Sequence, residues 1–566
     1  SLWRLVTLDD QLSIAAQARD LADTWTAGLA DVSYQGLHLG ALCQTSLLYF
    51  FRDVLFAQCM AARFLDEVQP TKLLVSPSIA SSSAGQQTAA WVWEATQRQI
   101  PVEVVPGGQP GSSLPAARPA GRIRRGLRRL GDALTWKLSR PGRSRGEQPR
   151  IAFFGGGADL VNQRAVIERL QATRPYRVAQ FSLDPVQRSA VSRSQPAGQF
   201  AATSLLPYAS PRHYRELQAL GQAAWASFQR LQGDSPAGPH AVLFANPALK
   251  PMFQTFFLDT IPRVGGALGV ASSVLDAFRP QLVFLNNDTS GRARAIVEAA
   301  RRLDIPSAQL IHSGFNDLDF RRFATDQMWV WGDVHRQQLA ALDLPAERIR
   351  VTGNPNFDYL AKRHLDGSLS QTRQETRRKL ALDEDEIVLL LITAKPPYLL
   401  TFVDQEQHGE DLRTIAQALD DLINVRLVVK PHPRYDDTTV YRHLAEQHPR
   451  VTIVEGVFLD QLLPACDVAL MVNVASTGGI EALALGKPLV WIRPSVRYPA
   501  HYSVFESVAL VVEERDGIAP TIDRLAQSPD YRRELAAMGQ RHLPEMLAHL
   551  DATATDTVVS AIDNIV

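Results

Sequence analysis

The sequence has little cysteine and no long apolar run, and both absences narrow the classes of protein it can belong to. Its 566 residues include three cysteines, which are far apart and form no CxxC or Cys/His cluster of metal spacing. An odd number of scattered cysteines argues against a disulfide scaffold and fits a reducing compartment. No apolar run reaches the roughly 18 residues of a membrane-spanning helix, and the first residues lack the pattern of a signal peptide. We therefore expect a cytoplasmic protein.

An excess of charge of one sign is also absent. Lys+Arg and Asp+Glu number 59 each, which gives no support for a nucleic-acid partner. The glycine-ended run at 151–157 lacks GxGxxG followed by an acid about 20 residues later, so a dinucleotide site is not indicated. We expect no cofactor and no metal site.

What the sequence does contain is a series of short apolar runs, most of them bounded by Gly, Pro or Asn. Continuous apolar runs that alternate with amphipathic helical patterns indicate parallel strands covered on both faces. The predicted fold is α/β, with two Rossmann-like doubly wound domains and an extra N-terminal α/β segment. The runs lie at 151–157, 282–288, 308–314, 328–332, 349–355, 387–395, 426–433, 451–456, 468–473 and 488–494.

Breaks in this pattern divide the chain. The polar, basic stretch at 361–380 separates two series of strands, and we interpret it as an interdomain linker. The tail is predicted to be a helix that crosses back onto the first domain. The predicted units are an N-terminal α/β segment (1–110), a basic linker (111–149), a first domain (150–365), a second domain (381–541) and a C-terminal helix (542–566).

The basic linker has a character of its own. Residues 108–121 are rich in Pro, Gly and Ser and favour irregular structure. In 121–140, five apolar residues recur at steps of three and four, with seven basic residues around them. Such a basic amphipathic helix binds an anionic membrane surface. The alternative is a helix packed on the protein with a solvated basic face.

Two parts of the chain resemble each other. A helix, a QP turn, a strand, a second helix and a second strand occupy 64–108, and the same order with an RP turn occupies 274–314. The resemblance indicates either a degenerate duplication or the general likeness of any two helix–strand units.

The stretch LVVKPHPRY (427–435) ends a predicted strand with two prolines around an imidazole. Side chains at the carboxyl end of a parallel strand project into the crevice where doubly wound proteins bind ligands. Lys430 and His432 are therefore predicted to face an anionic ligand, while Pro431 and Pro433 restrict the turn. The alternative is a histidine that caps the next helix.

A second candidate anion site follows the run at 468–473. Ser476, Thr477 and Gly478 open a predicted helix, whose N-terminus offers unpaired N–H groups and a partial positive charge. The hydroxyl groups add donors, and glycine lets a phosphate approach the backbone. Glu481 is interpreted either as a ribose ligand or as a first-turn residue that complements the helix dipole.

Two further loops contribute candidates. Thr393 and Lys395 follow the first strand of the second domain, and they are predicted to lie beside the same phosphates. Asn354, in VTGNPNFD (351–358), is predicted to line the cleft from the first domain.

Together these motifs resemble the bacterial GT-B glycosyltransferases of the capsule type. That group includes β-Kdo transferases and bacterial sialyltransferases, with the related teichoic-acid glycerophosphotransferases. The resemblance covers about 280–500, and it rests on KPHP (430–433), the helix at 476–488, VTGNPNFD (351–358) and AQLIHSG (308–314). It implies that His432, Pro433, Ser476 and Thr477 bind the phosphates and ribose of a cytidine nucleotide. UDP-GlcNAc 2-epimerases share the TGN-xx-D and EALxLGKP motifs, so these two indicate the fold alone.

A transferase also needs a base on the acceptor side, which removes the proton of the attacking hydroxyl. The resemblance offers His312, where teichoic-acid transferases have a His-Gly pair, although Ser313 intervenes here. The second candidate is Asp288, since bacterial sialyltransferases use a carboxylate. The alternative for Asp288 is an N-cap of the helix that begins near Gly291.

The sequence therefore leads us to expect a metal-independent glycosyltransferase that uses a CMP-activated acidic sugar. Its partners would be the nucleotide sugar, a glycan or lipid-linked acceptor and the inner membrane surface. The alternatives are a UDP-GlcNAc 2-epimerase-like enzyme, a transferase of UDP-sugars or CDP-polyols, and a non-catalytic GT-B scaffold.

Overall fold

The computed structural model describes residues 6–28, 32–34, 36–75, 83–104, 148–156, 162–182, 203–204, 211–234, 253–254, 256–311, 323–394, 405–432, 438–494 and 505–566. No helix in these ranges is long and apolar enough to cross a membrane. The basic segment 121–140, with its predicted membrane contact, lies outside the described residues.

The N-terminal segment consists mainly of long helices that share a core with the first domain. Side chains of the second of these helices, such as Leu47 and Phe51, are fully buried in one cluster with Val283 and Leu285 of the following sheet. Two short pairs of strands complete the segment, one antiparallel and one parallel. Its elements are α1 (Leu8–Gly28), β1 (Ser33–Tyr34), β2 (Leu37–His38), α2 (Leu39–Val68), β3 (Leu73–Val75), α3 (Ser83–Gln97) and β4 (Val102–Val104).

The first domain has a sheet of seven parallel strands, five of which overlap the predicted apolar runs, while those at 177–182 and 203–204 do not. The seven strands are β5 (Arg150–Gly155), β6 (Arg177–Ser182), β7 (Thr203–Ser204), β8 (Leu282–Leu285), β9 (Ser307–Leu310), β10 (Gln327–Val330) and β11 (Ile349–Val351). Their order is β11–β10–β9–β8–β5–β6–β7, so the connections change direction between β5 and β8. The helices are α4 (Arg164–Thr173), α5 (Pro211–Asp234), a π-helix (Phe256–Thr260), α6 (Ile261–Phe278), α7 (Gly291–Arg301) and α8 (Asp333–Ala340). Two 3₁₀ turns follow, Ala346–Arg348 and Pro355–Phe357.

The second domain has six parallel strands in the order β14–β13–β12–β15–β16–β17. These are β12 (Ile387–Ile392), β13 (Val425–Lys430), β14 (Val451–Ile453), β15 (Val468–Val472), β16 (Leu489–Ile492) and β17 (Leu510–Val512). Helices α9 (Asp358–Leu365) and α10 (Leu369–Lys379) precede the sheet. The remaining helices are α11 (Gln405–Gln417), α12 (Thr439–Gln447), α13 (Leu459–Leu462), α14 (Thr477–Ala484), α15 (Ile518–Gln527), α16 (Pro529–Met546) and α17 (Ala554–Asp563). The 3₁₀ turns are Leu463–Ala465 and Arg515–Gly517. The predicted α/β class with two parallel sheets is confirmed.

The polar stretch at 361–380, which we interpreted as an interdomain linker, contains parts of the helices α9 and α10. Two arginines of α10 bond to the second domain. The Arg377 side chain is fully buried and donates to the carbonyl oxygens of Ala465 (2.9 Å) and Asp383 (2.7 Å). Arg373 bonds to the Asp467 carboxylate at 2.9 Å. Arginines bound to carbonyl oxygens account for a polar sequence inside a packed interface.

The C-terminal helix α17 lies on the first domain. Arg174 and Tyr176 both donate to the Asp563 carboxylate at 2.8 Å. The backbone N–H groups of Ala554 and Thr555 donate to Asp358 at 3.1 and 2.8 Å. The second domain is therefore connected to the first both by α9–α10 and by the tail.

The two similar parts of the chain, β3–α3–β4 and β8–α7–β9, share details of backbone geometry. The residue before each proline, Gln69 or Arg279, has a left-handed conformation (φ 45° and 50°). The N–H group of Leu73 bonds to the oxygen of Pro101 at 2.8 Å, and that of Val283 bonds to Pro306 at 2.9 Å. Left-handed residues at helix ends and parallel pairing are common in helix–strand units, so these details fit both a duplication and a general likeness.

Candidate functional site

The KPHP turn at the end of β13 is attached to the neighbouring strand β12. The Thr393 side chain is buried, and its Oγ1 accepts a hydrogen bond from the His432 backbone N–H at 2.9 Å. Lys430 Nζ donates to the Pro431 carbonyl oxygen at 2.8 Å. The structure thus brings Thr393, Lys430 and His432 together at the carboxyl edge of the second sheet, while Lys395 and Pro433 lie outside the described residues.

The turn after β15 lies at the same edge. Ser476 is the N-cap of α14, and its Oγ accepts from the Gly478 N–H at 3.3 Å. Thr477 is exposed. A Cβ atom at Gly478 would lie 2.6 Å from Leu459 Cδ2 and 2.8 Å from Ile392 Cγ2. Close packing therefore requires glycine at position 478, independently of the predicted phosphate contact.

Glu481 lies near a second carboxylate at the junction of the two domains. Burial, together with the charge of the nearby Asp460 carboxylate, raises the pKa of Glu481 to about 7. Asp460 is bonded at 3.2 Å by Arg363 of α9. Partial burial, together with the charges of Glu481 and Asp460, raises the pKa of Tyr359 in the same helix. Residues preceding the second sheet thus approach the helix that opens at Ser476.

A buried polar network beside the crevice was not singled out by the sequence. The Asn473 Nδ2 atom lies 2.8 Å from Asp411 Oδ2 and 3.1 Å from His408 Nδ1. Arg515 Nε donates to Asp411 Oδ1 at 2.9 Å. Burial lowers the pKa of His408 to about 4, although the charge of Asp411 acts in the opposite direction. Asn473 and His408 are 65 residues apart, and no spacing rule connects them.

In the first domain, Asp288 and Asn354 are buried and bonded to backbone groups. Asp288 Oδ2 accepts from the N–H group of Ala324 and, at 2.9 Å, from that of Thr325. The N-cap of α7 is Ser290, so the capping alternative for Asp288 does not hold. The Asn354 side chain caps a 3₁₀ turn by accepting from the Asn356 N–H at 3.1 Å. His312 lies outside the described residues.

A protein-family model described as UDP-N-acetylglucosamine 2-epimerase matches residues 262–561. This is more than half of the 566 residues, and it includes every described candidate residue named above. No curated protein matches the chain.

Solved structures of the same description are similar to the chain at low identity. The UDP-GlcNAc 2-epimerase from Neisseria meningitidis bound to UDP-GlcNAc is 14% identical, with 74% of this chain and 100% of that chain covered and a TM-score of 0.48. The enzyme from Methanocaldococcus jannaschii is 12% identical, with coverages of 69% and 98% and a TM-score of 0.44. The enzyme from Rickettsia bellii is 13% identical, with coverages of 74% and 98% and a TM-score of 0.43.

The family match corrects our expectation of a CMP-sugar glycosyltransferase of the capsule or lipopolysaccharide type, which is wrong. VTGNPNFD and EALALGKP, which UDP-GlcNAc 2-epimerases share, indicated the fold alone. The expectation of a transferase rested in addition on KPHP and AQLIHSG. The 2-epimerase alternative fits the match better.

Proposed function

Because the chain belongs to the UDP-N-acetylglucosamine 2-epimerase family, we propose that it binds a UDP-activated N-acetylhexosamine and inverts the configuration at C2 of the sugar. The observation that carries this proposal is the match over 262–561, which includes four of the seven strands of the first sheet and the whole second sheet. The family is one of enzymes, and the proposed reaction is an isomerisation that needs no acceptor.

The carboxyl edge of the second sheet supports a site for the nucleotide diphosphate. Lys430, His432 and Thr393 meet there, and the N-terminus of α14 opens at Ser476 beside them. A cation, an imidazole and the positive end of a helix all favour an anion. Glu481 lies one turn into α14, and we assign it to the ribose hydroxyl groups.

Inversion at C2 of the sugar requires groups that stabilise a leaving diphosphate, and the carboxyl edge of the second sheet offers such groups. The C2–H bond must break, and a proton must return to the opposite face of the sugar. The electron pair of the C2–H bond can form a C1=C2 double bond if the C1–O bond to the diphosphate breaks. The electrons of that C1–O bond then leave with the diphosphate. Negative charge then develops on the leaving diphosphate, and preorganised donors stabilise it. Addition of the diphosphate and a proton to the alkene completes the isomerisation.

The proposal is tested by incubating the protein with UDP-GlcNAc in D2O and recording NMR spectra. No acceptor is added. We expect the C2 epimer to form and deuterium to enter at C2, because the proton that returns comes from solvent. His432→Ala should slow both signals by at least tenfold. His443→Ala is the matched control, since His443 is an exposed histidine of α12 in the same domain. Unchanged UDP-GlcNAc without exchange would overturn the proposal.

A further inference from the structure

We propose that the Nε2–H group of His408 donates a hydrogen bond to a phosphate oxygen of the bound nucleoside diphosphate. The inference rests on the proposed function for the identity of the ligand, and it adds a binding residue to that site. Four observations carry it: the place of His408 in the sheet, the bond to its Nδ1 atom, the state of its Nε2 atom and the backbone of Asn473.

His408 lies where a doubly wound sheet binds its ligand. It is in the first turn of α11, the helix that follows β12, and its partner Asn473 immediately follows β15. The strands β12 and β15 are neighbours in the sheet, although β13 and β14 lie between them in sequence. The connections therefore diverge at this pair of strands, and the crevice outside such a divergence is the preferred ligand position.

The hydrogen bonds around His408 decide which ring nitrogen carries the proton. Arg515 bonds to the Asp411 carboxylate, which can only accept hydrogen bonds, so the Asn473 atom that faces it must be the amide nitrogen. The same amide nitrogen faces His408 Nδ1 at 3.1 Å and can only donate. Nδ1 is therefore the acceptor. In the neutral ring, the proton must then be on Nε2.

This Nε2–H group is buried, and it has no hydrogen-bond partner within the part of the chain that the structure describes. The residue is only 7% exposed. A buried donor without an acceptor is unfavourable, and native proteins rarely retain one without a reason. A ligand oxygen in the crevice supplies the acceptor that the fold lacks.

Asn473 holds the network in an unusual backbone conformation. Its φ angle is 59°, in the left-handed region, and its side chain is buried. This conformation turns the chain out of β15 and places the carboxamide against α11 rather than along the strand. Asparagine adopts the left-handed conformation more readily than most residues, so this position suits it.

The test uses two substitutions that separate the two ring nitrogens. In His408→Asn, the side-chain oxygen can replace Nδ1 as the acceptor for Asn473, but nothing replaces the donor at Nε2. In His408→Gln, the longer side chain places an amide N–H near the former Nε2 position. Isothermal titration calorimetry with UDP and with uridine, on the full chain, measures binding. His443→Asn is the matched control at an exposed histidine.

We expect His408→Asn to weaken UDP binding about 5- to 20-fold and His408→Gln to restore most of it. Uridine binding should change less than about twofold in both variants, because uridine lacks phosphate. A purely structural role predicts instead that both variants unfold at lower temperature with an unchanged Kd for UDP, and this result would overturn the inference. So would equal weakening of UDP and uridine.

Failure of the proposed function can be distinguished from failure of this inference. If the wild-type protein binds UDP but forms no epimer, the proposed reaction is overturned. UDP binding by His408→Asn and His408→Gln still tests the phosphate contact in that case. If the wild-type protein binds no UDP, both proposals are overturned.

Discussion

The turn after β8 and the turn after β15 occupy the same position in their two sheets, but different parts of the chain surround them. Each follows the strand at which the connections change direction. Each carries an asparagine, Asn286 or Asn473, and then a serine N-cap, Ser290 or Ser476. The local pattern of strand, polar turn, serine and helix is thus shared by the two domains.

The difference lies in what covers the start of the helix. A Cβ atom at Gly291, the first residue of α7, would lie 2.9 Å from the carbonyl oxygen of Leu42 in α2. The N-terminal segment therefore covers the first helix. In the second domain, Thr477 at the start of α14 is exposed, and Asn473 of the same turn bonds to side chains of α11. The start of the helix is therefore covered by α2 in the first domain, whereas in the second domain its first residue is exposed.

The largest expected effect concerns Asp288, the buried carboxylate of the first turn. Asp288→Ala leaves the N–H groups of Ala324 and Thr325 without their acceptor in a buried place. We expect the free energy of unfolding in urea to fall by about 3 kcal/mol. Asp276→Ala is the control, because Asp276 is an exposed partner of Arg279, and its effect should stay within about 0.5 kcal/mol. Equal effects of the two substitutions would contradict this role of Asp288.

The second effect is a pH dependence of the free energy of unfolding, caused by Glu481 in α14, the helix that follows the turn after β15. Its pKa is raised to about 7 by burial and Asp460, so between about pH 4.5 and 7 the folded chain keeps a proton that the unfolded chain has released. The favourable contribution of this proton is present below about pH 4.5 and is lost as pH rises through 7. Glu481→Gln should therefore raise the unfolding free energy by about 2 kcal/mol at pH 8 and leave it unchanged near pH 4.5.

The control for Glu481 is Glu446→Gln, at an exposed glutamate of α12. Urea denaturation of the three proteins across pH 4.5 to 8 gives the comparison. A Glu481→Gln curve parallel to that of the wild type would refute the pKa assignment.

A smaller effect on stability tests whether α2 packs tightly against the start of α7, the helix after β8. Gly291→Ala forces the Leu42 carbonyl oxygen or the helix to shift, and we expect a loss of about 1–2 kcal/mol in thermal unfolding. A Cβ atom at Gly409 of α11 would meet no atom of the described residues within 4 Å, so Gly409→Ala should be neutral or stabilising by about 0.5–1 kcal/mol. A neutral Gly291→Ala would mean that the contact with α2 is loose.

The smallest effect separates the two serine caps. Ser290→Ala and Ser476→Ala each remove an N-cap hydrogen bond, and each should lower the unfolding free energy by about 1 kcal/mol. Only Ser476→Ala should also weaken UDP binding, by about threefold in calorimetry, because only its helix opens toward the proposed ligand. An equal loss of affinity in both variants would remove the distinction between the turns.

Ten of the thirteen strands in the two large sheets were predictable, because they lie in continuous apolar runs, most of which are bounded by Gly, Pro or Asn. The strands β6, β7 and β17 lie outside those runs. The run ending in KPHP shows why part of the site was also predictable. Lys430 and His432 follow directly from the end of β13, and Thr393 from the end of β12. Parallel strands bring such residues to one edge whatever the loops do. The reaction was not predictable from these residues, because the motifs shared with glycosyltransferases describe the nucleotide half of the substrate.

The helices at 361–380 and the His408 network show what the sequence could not reveal. Arg377 lies in a stretch whose composition is typical of a linker, and only the folded chain brings the Ala465 carbonyl oxygen beside it. His408 and Asn473 have no common motif, and only the pairing of β12 with β15 brings their loops together.

Most of the strands, their parallel arrangement and the sheet edge that we propose as the ligand site could be inferred from the amino-acid order alone, because these features depend on local apolar periodicity. Two features depend instead on the tertiary structure. Helix α2 packs against the helix after β8, and the buried His408 bonds to the turn after β15. Those outcomes depend on contacts between segments far apart in sequence, whose free energies come from the shape and hydrogen bonding of the assembled domains.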